Sequence, residues 1–534
     1  MVNATSHGPS RPARRLKSPG PGTDGQDEPL EDSVVMPSLA LPGTRTARLV
    51  AALLVTVTAL ALVAAPAEAT LPAGSVSVSV SKKDFISGDA VLVSGKVAGA
   101  RVTTARLERK VGSSWRRIAS VRTSSTGVYK FRTVLTGTAD VPLRVRADAS
   151  STRRAATSAV RTVPHFRCTQ SVSPTRGVAM KLLQPGPGAA ARSAAHLKGV
   201  LCATSSRATV RVSLYLLAPD DASAATLLRT LEYLHRERKV TVAFLLERTG
   251  TGAMDATARR LRSFAQVTVC DRGCANGSGT DGAMHNKVVA ISDTRWRSGV
   301  DRAVVLSSAN WSDRQLGQYW QTVVTFHQDD RLYAAHLHNF DYQRACATGC
   351  RTALKPVVDT DAGRGTQVSF FPQDGDDNVV DLLDSVGCVA GSKIEVAMYI
   401  ASPSRSRAIS RALARLVHDG CSVRLVMSRS GIYANDAEVR RTLAASGARA
   451  MRCTDLMHGK FLVMRDVVLD GRPGQTLVSD GSQNWTFSGL RTNDDATFVL
   501  STAGASSVSR ARIVQVAQDY VDAWRAVYVH GSDC

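Results

Sequence analysis

The sequence of 534 residues predicts an α/β protein made of two pseudo-symmetric halves, preceded by an all-β sandwich. Three observations indicate this fold. A His-x-Lys segment followed by Ser-x-Asn-Trp occurs twice, at 285–311 and again at 458–485. A strand, a helix and a second strand precede each copy in the same order. Short β-type segments separated by turns come before both. Repetition of this kind is typical of a duplicated structural unit.

Residues 1–69 are expected to be a leader and signal peptide. An apolar run from Leu49 to Ala65 follows two arginines and ends in Ala67-Glu68-Ala69, which predicts cleavage after Ala69 and secretion of the mature chain. The stretch ahead of Met36 is unusually long for a leader, so a start at Met36 is an alternative. An uncleaved membrane anchor is another, although the run is slightly short for a full span.

Residues 74–165 predict the β-sandwich. Val-rich segments alternate with turns such as Gly88-Asp89 and Thr126-Gly127, and this spacing resembles immunoglobulin-like modules of exported bacterial enzymes. The segment contains no cysteine and no cluster of catalytic residue types, so we expect an accessory module for adhesion or spacing. Ser150–Val163, rich in Arg, Ala, Ser and Thr, is expected to be the linker that follows.

Residues 168–355 and 365–534 are the two predicted α/β halves, joined by Asp359–Gly365. In the first half, Val210–Leu217 and Val240–Leu246 are buried-type strands, and four leucines of the intervening helix fall on one face. The second half repeats this order with strands at Ile394–Ile400 and Val423–Met427 and a helix after Ser402-Pro403. Strands that alternate with helices predict mostly parallel sheets.

The formal net charge is +22, and removal of residues 1–69 leaves 61 Lys/Arg against 39 Asp/Glu. A field of this sign attracts anionic partners such as nucleic acid, acidic lipid headgroups or cell-wall polymers. General solubility and surface adhesion is an equally acceptable explanation, because the arginines are scattered along the sequence.

All ten cysteines follow the predicted cleavage point, and an even number in an exported chain predicts disulfides. Cys270 with Cys274, and Cys346 with Cys350, have the spacing of local loops, and Cys534 is expected to tie down the C-terminus. Zinc binding is the competing interpretation, but no Cys-x-x-Cys pair or matched histidine spacing favours it.

The repeated segment predicts a site for a tetrahedral anion. Residues i and i+2 of a strand share a face, so His285 and Lys287 project together, as do His458 and Lys460. By the same parity each following strand presents a serine and an asparagine: Ser308 and Asn310, Ser482 and Asn484.

These groups suit cleavage of a phosphodiester. One neutral imidazole can attack phosphorus and a protonated one can donate to the leaving oxygen, while Lys and Asn hold the other oxygens. The sequence offers no carboxylate cluster or His-Glu-x-x-His, so we expect neither a metal nor another cofactor.

The two segments resemble the paired His-x-Lys-x-x-x-x-Asp motifs of the phospholipase D superfamily, over the whole chain beyond the linker. The resemblance implies that His285 and His458 are the catalytic pair, one forming a phosphohistidine and the other acting as general acid. It also implies phosphate binding by the lysines and asparagines, assisted by the serines; the complete set is Lys287, Lys460, Asn310, Asn484, Ser308 and Ser482. Of the two histidines, we favour His285 as the nucleophile.

The sequence departs from the family pattern at the acidic residues. Five positions after each lysine stand Ser292 and Arg465, and Asp293 and Asp466 come one later, where a one-residue shift changes the strand face. We therefore expect a strand end or bulge there, and a structural role for both aspartates. Family members often carry an acid, after the asparagine, that orients a histidine. Asp495 fits that position in the second half, whereas the first half has Gln318–Gln321 and no acid.

We therefore expect a monomeric, exported phosphodiesterase that hydrolyses or transphosphatidylates phospholipid headgroups, with transient contact to the membrane surface. Two alternatives stay open: a secreted, metal-independent nuclease with the same site, and a non-catalytic protein that binds anionic polymers. Trp311 and Trp485 are expected either at the mouth of the site or in the core, and Tyr215 and Tyr399 in the core.

Overall fold

A computed structural model describes most of the chain beyond the leader. The predicted signal peptide, Cys350 and part of the predicted join lie outside the described residues. No helix in the described ranges is long and apolar enough to cross a membrane. The ranges are 74–99, 102–150, 153–171, 173, 177–248, 253–275, 282–347, 358–361, 363–429, 436–448 and 450–534.

The N-terminal module is a pair of β-sheets that face one apolar core. Alternate residues of its strands point inward, as in Val141, Leu143 and Val145, and meet Phe85 and Phe131 from the facing sheet. One sheet has the order β1-β2-β5 and the other β4-β3-β6-β7, with β8 also on β6. The strands are β1 (Ser79–Val80), β2 (Asp89–Lys96), β3 (Thr104–Val111), β4 (Ser114–Arg122), β5 (Val128–Leu135), β6 (Val141–Ala147), β7 (Ala156–Thr157) and β8 (Arg161–Val163).

The prediction that Ser150–Val163 forms a linker is wrong. Strands β7 and β8 of this segment pair with β6, and Val163 lies in the module's core. Its polar composition reflects an edge of the sheet, where alternate side chains face water, so composition alone could not distinguish it from a linker.

The module docks on the first half through buried ion pairs. Asp89, at the start of β2 and 3 % exposed, accepts from Arg229 and from Arg236, the latter at 2.7 Å. The backbone N–H of Ser87 also donates to Glu237 at 2.8 Å. Burial alone raises the pKa of a carboxyl, but the two arginines and the N–H of Ile86 hold the pKa of Asp89 well below its usual range.

The first half is a seven-stranded sheet with helices on both faces, in the order β12-β11-β10-β13-β14-β15-β9. The predicted leucine face of α2 is buried against it. The strands are β9 (Val178–Leu183), β10 (Thr209–Leu214), β11 (Thr241–Glu247), β12 (Gln266–Cys270), β13 (Lys287–Ile291), β14 (Ala303–Ser307) and β15 (Gln321–His327). The helices are α1 (Ala189–Cys202), α2 (Ala222–Arg238), α3 (Ala253–Leu261), α4 (Asp313–Gly317) and α5 (Asp330–Cys346).

The second half repeats this strand order as β21-β20-β19-β22-β23-β24-β17, so the duplication predicted from the sequence is confirmed. It adds the edge strands β16 and β25 and the short β18. The strands are β16 (Val358–Asp361), β17 (Thr366–Phe370), β18 (Val386–Gly387), β19 (Lys393–Met398), β20 (Ser422–Ser428), β21 (Ala450–Thr454), β22 (Lys460–Leu469), β23 (Arg472–Gly481), β24 (Ala496–Ser501) and β25 (Ser532–Asp533). The helices are α6 (Asn378–Asp384), α7 (Pro403–His418), α8 (Asp436–Ala444), α9 (Phe487–Arg491) and α10 (Ser507–His530).

The α/β class is confirmed, but the prediction of mostly parallel sheets is wrong. In each half only two strand pairs run parallel, β10 with β11 and β11 with β12 in the first, β19 with β20 and β20 with β21 in the second. A parallel pair needs a long crossover, usually a helix packed on the sheet. The His-x-Lys strand and the two after it are instead joined by loops, the second of which contains the five-residue helix α4 or α9. At the β22–β23 turn, Asp470 and Gly471 both have positive φ, as a two-residue hairpin requires.

The two halves pack face to face around a shared core. Phe326 of the first half meets Phe498 of the second edge to face, with ring centroids 5.0 Å apart. Helix α10 supplies Tyr520 and Trp524 to the same cluster. This packing brings the equivalent edges of the two sheets together, which positions the candidate site.

Disulfides join Cys168 to Cys202, Cys270 to Cys274, Cys388 to Cys421 and Cys453 to Cys534. The predicted local loop at Cys270 and the predicted anchoring of the C-terminus are therefore confirmed. Cys346 is disulfide-bonded as well, and its predicted partner, Cys350, lies outside the described residues.

Candidate functional site

Both His-x-Lys segments lie where the two halves meet. In each, the lysine is the first residue of a strand, Lys287 in β13 and Lys460 in β22, and the histidine comes two residues earlier. The side chains of His285 and His458 have no solvent-exposed surface. Backbone groups of both halves hold each histidine.

Backbone hydrogen bonds cross between the halves in a reciprocal way. The N–H of His285 donates to the carbonyl of Asp494 at 3.0 Å, and the N–H of Asp494 donates to Ala283 at 2.7 Å. In the mirror arrangement, the N–H of His458 donates to the carbonyl of Trp320 at 3.1 Å. The segment after each asparagine thus supports the histidine of the opposite half, so neither half contains a complete site.

A carboxylate from the second half holds His285. Asp495 Oδ1 lies 2.9 Å from His285 Nδ1 and also accepts from Ser482 Oγ at 2.5 Å. Burial by itself raises the pKa of Asp495, but the charges of His285 and Lys287 and the hydrogen bonds lower it below its usual value. A carboxylate can only accept, so Nδ1 carries the proton. His285 Nε2 has no hydrogen-bond partner among the described residues and is available as a nucleophile.

An amide from the first half holds His458. Gln321 Oε1 lies 2.9 Å from His458 Nδ1. The orientation of this amide is determined, because Gln321 Nε2 donates to both the carbonyl and Oε1 of Gln315, the latter at 3.0 Å. Lys460 Nζ also lies 3.3 Å from Nδ1, but Gln321 Oε1 is the closer group and can only accept. His458 Nδ1 therefore carries the proton, and Nε2 faces away from Gln321.

The prediction that the first half lacks an orienting group is wrong. Gln321 follows Asn310 by the same 11 positions that separate Asp495 from Asn484. The family pattern has an acid at this position, but the amide oxygen of a glutamine can also orient an imidazole ring. This equal spacing was the signal that identifies Gln321. The result is an asymmetric pair, in which one histidine has a charged partner and the other a neutral one.

Each lysine is fixed beside its histidine. Lys287 Nζ donates to the His285 carbonyl at 2.9 Å, and Lys460 Nζ donates to the His458 carbonyl at 2.8 Å. Each ammonium also lies over a tyrosine ring, at 5.2 Å for Tyr215 and 5.1 Å for Tyr399. Such a cation–π contact restrains a charged side chain without neutralising it.

Tyr215 and Tyr399 are buried, as predicted, but they also contact the site. The Tyr215 ring lies 5.1 Å from the His285 ring and the Tyr399 ring 4.3 Å from the His458 ring. Each follows the central parallel strand of its half by one residue. Tyr319 approaches His458 as well, at 5.5 Å. These aromatic rings exclude water around the imidazoles.

The predicted serines and asparagines lie in the same place. Asn310 Oδ1 accepts from the N–H of Leu216 at 3.1 Å. Ser308 and Ser482 each use Oγ to accept from the N–H of the next strand, at 3.0 Å from Thr322 and 3.1 Å from Ala496. The serines therefore hold the strands that carry Gln321 and Asp495. Contact of these serines, and of Asn310 and Asn484, with substrate stays a prediction.

Two further buried carboxylates hold the loop that leads to His285. Glu247 accepts from the N–H groups of Arg272, Gly273 and Met284, at 3.0, 3.0 and 2.7 Å. Asp494 accepts from the N–H groups of Cys274 and Ala275, and burial raises its pKa to about 8. The Cys270–Cys274 disulfide joins two residues of the same region, so the described residues on both sides of residues 276–281 are held in place.

Asp293 and Asp466 lie away from the histidines, as predicted. Strand β13 ends at Ile291, and Asp293 Oδ1 accepts from the N–H of Asp301 at 2.9 Å. Strand β22 has a register shift between Met464 and Val467, and Asp466 has φ 57°. Trp311 and Trp485 are both buried in apolar clusters of their own halves.

The arrangement can perform acid and base chemistry on one phosphorus. Each imidazole has its proton on Nδ1 and its Nε2 directed away from that partner, and two ammonium groups lie beside them. Among the described residues, no group of three His, Cys, Asp or Glu side chains is placed to hold a metal ion.

Comparison with known proteins was consistent with this geometry. Residues 388–519 match the profile of a family described as cardiolipin synthase, PLD-like domain. This part of the second half is similar to a phospholipase D-like domain. It includes His458, Lys460, Asn484 and Asp495, and none of the first half. No curated protein sequence matches the chain.

Three solved structures illustrate the structural similarity. The yeast tyrosyl-DNA phosphodiesterase is 9 % identical over 63 % of this chain and 91 % of that one, with a TM-score of 0.37. The phospholipase D family member Nuc from Salmonella typhimurium is 20 % identical over 32 % and 97 %, with a TM-score of 0.24. Polyphosphate kinase from Porphyromonas gingivalis is 10 % identical over 83 % and 76 %, with a TM-score of 0.37.

Proposed function

We propose that the chain is a secreted phosphodiesterase of phospholipase D type that works through a phosphohistidine on His285. One observation carries this proposal: two buried histidines from opposite halves each have Nδ1 bonded to a partner from the other half. Both rings are thereby locked in the tautomer that directs Nε2 towards a substrate. A phospholipase D-like domain over 388–519 supports the same reaction class.

In the first step, His285 Nε2 attacks phosphorus. A P–N bond forms and the P–O bond to the leaving alcohol breaks. His458 starts as the imidazolium, with a proton on each nitrogen, and its Nε2 proton goes to the leaving oxygen. In the second step, His458 Nε2 takes a proton from water, the water oxygen bonds to phosphorus, and the P–N bond breaks. An alcohol in place of water gives transphosphatidylation. Lys287, Lys460 and the two asparagines hold the non-bridging oxygens as charge develops.

The unequal partners support His285 as the nucleophile. A phosphorylated imidazole that keeps the Nδ1 proton is cationic, and the Asp495 carboxylate at 2.9 Å stabilises that charge. His458 must instead lose and regain a proton within one cycle. A neutral amide such as Gln321 fixes its tautomer without holding the proton too strongly.

We infer that the substrate is a phospholipid, met at a membrane surface after export. The family description, cardiolipin synthase, names a phospholipid reaction and supports this choice. Export is supported by the predicted signal sequence before Ala69 and by the disulfides, which persist in oxidising compartments.

Nucleic acid is the second candidate, and the charge of the N-terminal module favours it. Residues 74–166 contain 17 Lys/Arg against 5 Asp/Glu, a net +12 out of the chain's +22. A module of this charge attracts any polyanion and would bring nucleic acid to the site. Under either substrate, the module serves adhesion.

The test uses the mature chain starting after Ala69, in chelator, with phosphatidylcholine vesicles and separately with plasmid DNA. We expect choline release from the vesicles, no nicking of the plasmid, and loss of choline release in His285→Ala and His458→Ala. Cleavage of DNA alone would replace the lipid assignment by the nuclease. Cleavage of neither, or cleavage that both variants retain, would favour the non-catalytic polymer-binding protein and refute the enzymatic proposal.

A further inference from the structure

The second half contains a polar cavity between helix α6 and its sheet. Its volume is about 310 Å³, at the lower end of the range of roughly 300–1,000 Å³ for small-molecule sites. The exposed residues Asp381 and Ser385 of the α6 region lie at its rim, and the buried side chains of Met398, Lys460 and Trp485 line its inner part. The cavity therefore extends from solvent towards one of the site lysines.

Four polar side chains in this cavity make no hydrogen bond to any residue that the structure describes. They come from three neighbouring strands and are Gln367 and Ser369 of β17, Ser479 of β23 and Thr497 of β24. Ser369 and Thr497 are 8 % and 9 % exposed. These groups line the cavity, where a ligand that brings donors and acceptors can pair with them in place of water.

The first half shows that the sheet itself does not require these polar groups. With Asn484 placed on Asn310, Ser479 corresponds to Val305 and Thr497 to Val323. Both valines are buried in the apolar core under helix α1. Helix α1 has 14 residues, whereas its counterpart α6 has 7. The second half has thus exchanged an apolar core for an open space lined by hydrogen-bonding groups.

Charges at the two ends of the cavity restrict what it can hold. Asp381 is the acidic residue that lines the cavity at the α6 end, and partial burial together with Asp376, Asp377 and Asp384 raises its pKa. This rim repels anions. Lys460 at the inner end presents an ammonium group, which repels cations. A neutral ligand avoids both penalties.

We propose that this cavity binds a small, neutral polyhydroxy compound, of the size of an inositol or a monosaccharide. Hydroxyl groups donate and accept, so they can pair with the serine and threonine hydroxyls and with the Gln367 amide at once. The faces of such a ring are apolar and can pack on Trp485 and Met398. The cavity is distinct from the phosphodiester site, since His285 and His458 do not line it.

The test replaces the polar lining by the residues of the first half, in Ser479→Val/Thr497→Val. Calorimetric titration of the full mature chain with myo-inositol, and separately with glucose, should show saturable one-site binding that weakens at least tenfold in this double variant. Thr325→Val, a similar change on β15 of the first half, is the matched control and should bind as the wild type does. Circular dichroism confirms that each variant is folded.

Thr497→Val alone keeps the side-chain volume, so this single variant still tests the ligand site if the double variant does not fold. It should weaken binding about threefold or more. Saturable binding of neither compound, or affinity unchanged by Thr497→Val and by the double variant, would overturn the proposal. Displacement of bound inositol by inorganic phosphate at equal concentration would overturn the neutral ligand class. These measurements do not depend on catalysis, so they stand apart from the test of the proposed function.

Discussion

Asp495→Asn separates the charge of the orienting carboxylate from its shape. Asp495 Oδ1 accepts from both His285 Nδ1 and Ser482 Oγ, whereas Oδ2 has no partner among the described residues. The Ser482 hydroxyl donates to Asp495 Oδ1 at 2.5 Å, because its other acceptor, the Ala496 carbonyl, lies farther away at 3.5 Å. An asparagine therefore keeps its oxygen where Oδ1 is now and puts its NH₂ in the place of Oδ2.

This orientation determines the expected loss. The tautomer of His285 is retained, and only the charge of its partner disappears. A hydrogen bond to a charged group contributes about 1.5–3 kcal/mol and a neutral one about 0.5–1.5 kcal/mol, so the substitution removes about 1–1.5 kcal/mol. At about 1.36 kcal/mol for each factor of ten, kcat/KM should fall by about 5- to 13-fold. If instead the amide rotated and donated to Nδ1, the tautomer would be wrong and the loss would approach about 10⁴-fold.

The assay follows kcat/KM with bis(p-nitrophenyl) phosphate, which does not depend on the identity of the natural alcohol. Asp301→Asn is the control, because Asp301 is a buried carboxylate that lies 3.2 Å from Nδ1 of His327, a histidine outside the candidate site, and we expect a change within about threefold. Addition of Ser482→Ala to Asp495→Asn should free the amide to rotate and deepen the loss. Wild-type kcat/KM in Asp495→Asn would refute this account of His285.

Three further predictions concern the other residues. With the same good leaving group, His458→Ala should accumulate a covalent phosphoryl adduct on His285, seen by intact-mass and peptide analysis; an adduct in His285→Ala would reverse the assignment. Gln321→Glu should move the alkaline limb of the kcat/KM pH profile upward, because a carboxylate beside His458 favours its protonated form, and an unmoved limb would contradict the 2.9 Å contact. Asp89→Asn should lower the free energy of unfolding by about 3 kcal/mol at pH 7, since it leaves two arginines without their buried partner. The pKa of Asp89 is depressed in the folded state, so this difference should be complete above about pH 4, the ordinary pKa of an aspartate, and shrink as the pH falls further; denaturant titrations at several pH values measure it.

Local patterns predicted the α/β class, the helix faces and the strand order around each repeat. These succeed because periodicity reflects which face of an element is buried, and burial is decided within a few residues. The helix with Leu227, Leu228, Leu231 and Leu234 is an example, since all four leucines are buried. Strand direction was predicted wrongly because it depends on how the connection runs, which composition does not record.

The sequence by itself identified the two histidines and the two lysines of the candidate site, whereas it did not identify Gln321. The duplicated His-x-Lys and Ser-x-Asn segments identified His285, His458 and their lysines, because two copies of one pattern rarely arise without a shared structural role. Strand parity also separated Asp293 and Asp466 from that set, and the strand end and bulge explain why they lie apart.

Only the tertiary structure decided how these residues cooperate. Asp495 orients the histidine of the other half, and Gln321 does the same in return, across sequence separations of 210 and 137 residues. No local pattern carries such a pairing, because it arises when the two sheets pack face to face. The same packing places a charged partner beside His285 and a neutral partner beside His458. This difference distinguishes the proposed nucleophile from the proposed acid.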